Sequence, residues 1–281
     1  MSDAFPLHRH SRRRHAATAQ FHRWFQLYER PRTAELVERQ LQLFADDFEI
    51  RTADGRTVAT RDGYRDGVAA LDPDERHAHH VEHITVSEVD EHRLRLAARV
   101  RYARQDASGR VARALIAYEG ELIGSVDFEP LFTRLEMTVV GRDEGGVFED
   151  AYPAHRSLSL VHRFLSLVEA PELGGRALGE LLAQDGELDL VLGAAAVGSR
   201  RELADWLLES SLLLAAGTSR HSVEDFRVIA DHDGRYHVRM DVDWNGVTAD
   251  GAPTAARLPY AWILSDTGER YCRLVYARNA P

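Results

Sequence analysis

FHRWFQLYERP (residues 21–31) and VHRFLSLVEAP (residues 161–171) say the same thing twice, 140 positions apart. In the first, Phe21, Trp24, Phe25 and Tyr28 stand at i, i+3, i+4 and i+7 ahead of Glu29-Arg30-Pro31. In the second, Val161, Phe164, Leu165 and Val168 hold those places ahead of Glu169-Ala170-Pro171. That spacing is one apolar face of a helix, closed by a proline that cannot continue it. Further along, Leu94, Leu96, Ala98, Val100 and Tyr102 alternate with polar residues, and Tyr236, Val238, Met240, Val242 and Trp244 do so 142 positions later. A helical period and a strand period that recur at nearly one offset mean two copies of one unit.

Working outward, copy one predicts a helix over about 16–29, a second from the N-cap Thr33 to Ala45, and a strand over Phe48–Thr52. Asp54-Gly55 reads as a tight turn with its return strand at Arg56–Thr60, and a third short helix spans about 61–71. Long strands follow at Val81–Val89, Arg93–Arg104, Val111–Leu122 and about 126–140. Copy two repeats the order, with helices near 155–169, 174–184 and 199–209 and strands near 187–192, 222–230, 235–245, 254–265 and 269–278. Helices first and long antiparallel strands afterwards is an α+β order. The expected architecture is two consecutive cone-shaped α+β barrel domains, each with three N-terminal helices packed on a curved, mainly antiparallel sheet. A small ligand would sit at the open end of such a cone. The expected division is a disordered basic tail at 1–15, a first domain at 16–140, a linker at 141–154 and a second domain at 155–281.

Composition excludes several kinds of chemistry. All 35 basic residues are Arg, so no lysine exists to form a Schiff base or to serve a P-loop. Cys272 is the only cysteine, which removes internal disulfides and Cys-rich zinc sites and fits a reduced, cytoplasmic protein. A net charge of −10 argues against nucleic acid and anionic membranes as partners. No apolar run reaches the roughly 20 residues that span a bilayer. No Gly-rich turn joins a strand to a helix, so the dinucleotide fingerprint is missing. The expected cofactor set is empty, and no metal site is expected.

LFADDFEIRTADGRTVATRDGY (43–64), HHVEHITVSEVDEHRLRL (79–96) and RHSVEDFRVIADHDGRYHVRM (220–240), taken with the order of elements, resemble the SnoaL-like branch of the nuclear transport factor 2-like superfamily. Polyketide cyclases, scytalone dehydratase, ketosteroid isomerase and limonene epoxide hydrolase share that fold. The resemblance covers about residues 16–140 and 155–279. It implies a small-molecule ligand and cofactor-free acid–base chemistry: cyclisation, dehydration, isomerisation or hydrolysis. It also implies sheet-to-sheet packing of the two copies as an intramolecular pseudo-dimer, with a homodimer as the alternative. The same fold serves binding modules and oligomerisation domains, so a non-catalytic ligand-binding or scaffold protein is the rival reading.

His79 and His221 hold matching places at the start of the first long strand of each copy. In the dehydratase-like relatives a histidine there acts as the base, a role that suits an imidazole titrating near neutrality. The alternative is a structural histidine, and His77, His80 and His83 crowd the same stretch. Glu29 and Glu169 follow the first helix of each copy, where relatives carry an acid that orients the histidine; the alternative is a solvated Glu. Tyr118 and Tyr260 match in mid-strand and would donate a hydrogen bond to a ligand oxygen, or else fill the core. Trp24 and Tyr28 are expected on the pocket wall. The position of the isomerase's general base falls on Thr52 in copy one and near Leu190 in copy two, which speaks against that mechanism. Arg239, Asp241 and Asp243 resemble an epoxide-hydrolase pairing, but the buried face belongs to Val238, Met240 and Val242, so they should be solvated. Asp231-His232-Asp233 lies in a turn whose side chains diverge. Copy one, with Tyr28 and Gly120 where copy two has Val168 and Trp262, is expected to hold the larger, more polar pocket.

Overall fold

The computed structural model describes residues 6–30, 33–124, 129–169, 174–192, 195–215 and 217–279. The expected helix stops Pro31 and Pro171 lie outside the described residues, and the helices before them close at Tyr28 and Val168.

The first repeat runs α1 (Pro6–Tyr28), α2 (Ala34–Leu41), β1 (Phe44–Arg51), β2 (Thr57–Val58), α3 (Arg61–Ala69), β3 (Arg76–Glu88), β4 (Arg93–Gln105), β5 (Val111–Ile123) and β6 (Leu131–Glu144). The second runs α4 (Tyr152–Val168), α5 (Gly174–Gly179), β7 (Asp189–Leu192), β8 (Ala195–Val197), α6 (Arg200–Leu212), β9 (Arg220–Ala230), β10 (Arg235–Val247), β11 (Pro253–Ser265) and β12 (Arg273–Asn279). Thr33 caps α2 through Leu36 N at 3.2 Å, and Thr60 caps α3 through Gly63 N at 3.0 Å. Both hydroxyls satisfy a backbone donor that the first turn leaves without a partner.

Each repeat builds one sheet, in the order β2-β1-β6-β5-β4-β3 and β8-β7-β12-β11-β10-β9. β1 pairs with β6 in parallel, as β7 does with β12, and the other ladders are antiparallel. Two α+β cones, one after the other, is the architecture the repeat implied. Register slips bend the long strands, at Val81/His83 between β3 and β4 and at Leu115/Ile116 and Glu121/Leu122 between β5 and β6. An extra residue on one strand of a pair kinks it and increases its twist, which is how a sheet curls into a cone. The first core gathers Phe21, Phe25, Phe44, Phe132, Leu96 and Leu122, all buried; the second gathers Val161, Phe164, Val238, Met240, Trp262 and Leu264.

The division of the chain differs from expectation. By contacts it separates into two compact units, one of Gln20–His155 and the other of the chain up to Ala19 together with the chain from Arg156. The boundaries therefore fall inside α1 and inside α4, and residues 141–144, expected in a linker, are the end of β6. Nor are residues 6–15 a tail: they are helical, with Arg12, Arg13 and His15 buried. Arg and His mark a solvated segment only where their polar heads find no partner in the fold. His15 finds His162, the carbonyl of His221 and Glu169. The second helix is also shorter than expected, since Phe44 is taken into β1 with its ring against Phe48 and Phe132.

Candidate active site

β3 settles which of the crowded histidines faces inward. His77 and His79 are buried on one side of the strand, whereas His80 and His83 turn outward. His80 reaches the carbonyl of Glu149 at 3.1 Å, and His77 Nδ1 lies 2.7 Å from the Tyr102 hydroxyl. His79 stands opposite Tyr102 on β4, its ring stacked on Phe25 with centroids 4.4 Å apart.

Glu29, one residue past the end of α1, points its fully buried carboxylate at this histidine. Its Oε1 accepts the backbone N–H of His79 at 2.6 Å and the ring Nδ1–H at 2.9 Å. A carboxylate only accepts, so the His79 proton sits on Nδ1 and its Nε2 carries the lone pair. His155, from the first turn of α4, closes the group from behind. Its Nε2–H donates to the carbonyl of His79 at 2.6 Å and lies 3.5 Å from Glu29 Oε1, while its Nδ1 faces His22 Nδ1 at 2.9 Å.

The second unit repeats every part of this network. Glu169 Oε1 accepts His221 N–H at 2.7 Å and Nδ1–H at 3.0 Å. His15 Nε2–H donates to the carbonyl of His221 at 3.0 Å and stands 3.6 Å from Glu169 Oε1, with its Nδ1 2.9 Å from His162 Nδ1. His15 and His22 stand 140 residues before His155 and His162, the offset of the helical stripe itself. Sequence reasoning missed all four, although the repeated His-x6-His was there to be read.

Electrostatics agree with the tautomers. Burial pushes the Glu29 carboxyl up, but the charge and hydrogen bonds of His155 and His79 outweigh it and hold it at about 2. Burial likewise opposes ionisation of Glu169, and the hydrogen bonds of His15 and His221 bring it to about 2. For His79 burial wins: it lowers the imidazole from its ordinary value despite the support of Glu29. Each acid is thus a fixed anion, and His79 is neutral at pH 7.

A cavity of about 490 Å³ opens within the Gln20–His155 unit, and His79, Trp24, Tyr28 and Tyr118 line it together with Tyr102. Trp24 is committed to the wall, its indole N–H donating to the Tyr64 hydroxyl at 3.3 Å. Tyr118 differs, because its hydroxyl has no hydrogen-bond partner among the described residues while it faces the cavity. Burial pushes that hydroxyl well above its ordinary value, so it remains a donor. Thr52 lines the cavity but donates to Asp54 at 2.5 Å. Gly120 does not open the space, since a Cβ there would meet Leu135 and Phe132 at 3.4 and 3.6 Å. In the second unit Tyr260 is half-buried beside Trp262, which packs on Phe164 with ring centroids 5.3 Å apart. Asp241 is held by Arg257 at 2.7 Å on the exposed face, as the alternation required. Asp231 caps the backbone of Asp233 and Arg235 within its turn. Among the described residues no group of His, Cys, Asp and Glu is placed to hold a metal ion, and no helix is long and apolar enough to cross a membrane.

Fold and site together define two consecutive α+β cones in one chain, each with a histidine on a buried carboxylate. No family model matches the chain, and no curated protein does. Solved structures are similar to about half of it. They include a hexachlorocyclohexane dehydrochlorinase, LinA-type3 from Novosphingobium barchaimii (16% identity, 48% of this chain and 92% of that one, TM-score 0.40). ActVI-ORFA from Streptomyces coelicolor (14%, 44% and 95%, TM-score 0.38) is another. A third is Aln2 from a Streptomyces species (14%, 42% and 84%, TM-score 0.37).

Proposed function

We propose that the first cone binds a small, largely apolar, oxygenated molecule and moves a proton on it without a cofactor. His79 Nε2 is the base. Glu29 fixes the ring and stabilises the imidazolium that forms, and Tyr118 donates to the ligand oxygen on which charge develops. Cyclisation, dehydration, isomerisation and hydrolysis all begin with such a transfer. The observation that carries this reading is the neutral, cavity-lining His79 held on an ionised, buried Glu29. The pair leaves Nε2 as the His79 nitrogen with the free lone pair. Its recurrence as Glu169–His221 extends the proposal to the second cone.

Native mass spectrometry of gently purified protein identifies the bound molecule, and the same molecule is then supplied to the wild type and to His79→Gln. Conversion by the wild type, lowered at least a hundredfold in His79→Gln with binding retained, is the expected result. Release of the ligand unchanged by both proteins would favour the non-catalytic binder.

A further inference from the structure

Four arginines, Arg56, Arg104, Arg113 and Arg142, line the first cavity beside a single carboxylate, Asp54, in a chain whose net charge is −10. Three of them are committed. Arg56 pairs with Asp54 at 2.7 Å, Arg104 pairs with Glu75 at 3.2 Å, and Arg113 donates to the carbonyl of Val147 at 2.7 Å. Arg142 has no hydrogen-bond or ion-pair partner among the described residues.

A break in the strand alternation aims Arg142 at the cavity. On β6, Val139 pairs with Ile116, whose side chain faces in, so simple alternation would turn residue 142 outward. The register slips there. Gly141 pairs with Leu115 and Arg142 with Ala114, while Val140 is left 49% exposed as the extra residue. A bulge of this kind re-aims a side chain. Ala114, Ile116, Val139 and Arg142 all line the cavity as a result.

The cross-strand row closes the geometry. His79 pairs with Tyr102, Tyr102 with Ala114 and Ala114 with Arg142, so base and guanidinium stand at the two ends of one row. Three strand spacings put their Cα atoms roughly 14 Å apart, less across a concave sheet. Tyr102 fills the place beside His79, with ring centroids 5.0 Å apart, and the small Ala114 leaves the end of the row next to Arg142 open. Nor does the scaffold require the charges of Arg104 and Arg113. The second repeat, built on the same strands, has Gly246 and Ala255 at the places of Arg104 and Arg113.

We infer that the ligand of the first cone is an anion: an apolar body whose reacting end meets His79 and whose other end carries a carboxylate bound by Arg142. This rests on the reading of the cavity as a ligand site and adds the class of ligand to it. A guanidinium with no partner among the described residues is suited to a carboxylate, which it can take through two parallel N–H···O bonds.

The test uses two probes with one body, 1-naphthoate and its uncharged methyl ester, titrated calorimetrically into the full chain. Wild type should bind the carboxylate the more tightly. Arg142→Gln should weaken it about tenfold and leave the ester unchanged, and Arg142→Lys should recover part of the loss. Ala114→Trp, which fills the row, should abolish binding of both. If Ala114→Trp abolishes both but Arg142→Gln alters neither, the anion inference falls while the ligand-site reading stands. If wild type binds neither probe, or binding ignores Ala114→Trp, the ligand-site reading fails and takes the inference with it.

Discussion

Replacing Glu29 by Gln keeps the shape of the side chain and removes its charge. The amide oxygen can still accept from His79, but the new NH2 group takes the place of Oε2, which has no hydrogen-bond partner among the described residues. The drop of the carboxyl from an ordinary 4.5 to about 2 measures how strongly the fold prefers the anion, and corresponds to about 3 kcal/mol at pH 7. A buried donor without an acceptor adds roughly 1–3 kcal/mol. Because the folded-state value lies below the unfolded one, the charge contributes its full stability above about pH 4.5 and loses it as pH falls toward 2. His79, depressed below its ordinary 6.5, adds a second acid-sensitive component that both proteins share. Urea unfolding, followed by tryptophan fluorescence at pH 7, 4.5 and 3, should therefore show Glu29→Gln less stable by on the order of 4 kcal/mol at pH 7. The gap should narrow between pH 4.5 and 3 as the wild type loses the carboxylate's contribution on top of the component both proteins share. A gap that stays constant with pH, or a difference at pH 7 below about 1 kcal/mol, would refute the assignment of Glu29 as a fixed buried anion.

His155→Ala and His15→Ala each remove the donor to a histidine carbonyl behind the pair, and each should cost about 2 kcal/mol by urea unfolding. A loss confined to one of them would show that the two networks are not equivalent. Arg156→Met strips Asp266 of a buried guanidinium 2.6 Å away and should destabilise by about 3–5 kcal/mol, with the affinity of the first cavity for 1-naphthoate unchanged. Gly120→Trp, which copies Trp262, drives an indole against Leu135 and Phe132 and should cost about 1–3 kcal/mol or more. A neutral Gly120→Trp would mean that this face opens to the cavity after all.

How much of this was legible in the chain depends on the range of the interaction. The cones were written in local periods, a helical stripe and alternating strands, and those survive into the structure with small shifts at their ends. Glu29 and His79 could be named because their places repeat, although 50 residues separate them. The other half of the network was not named, because a run of Arg and His carries the composition of a solvated tail. Only contact with residues 147 or more positions away gives His15 its buried place. Arg142 was harder still. Alternation predicts the wrong face for it, and the bulge that corrects this depends on how two strands pair rather than on either strand alone.

The exchange of helix ends between the repeats bears on how the gene can change. A duplicated gene normally remains free to lose one copy by a single contiguous deletion. Here the second unit takes residues up to Ala19 from the far side of the first, and the first takes His155 from beyond β6. Cutting anywhere in 141–154 leaves one fragment without the histidine behind Glu29 and the other without the one behind Glu169. A copy can be lost cleanly only by a deletion whose ends lie inside α1 and α4, such as loss of 16–155, which joins the two helices in register and keeps His15 in one chain with His162, Glu169 and His221.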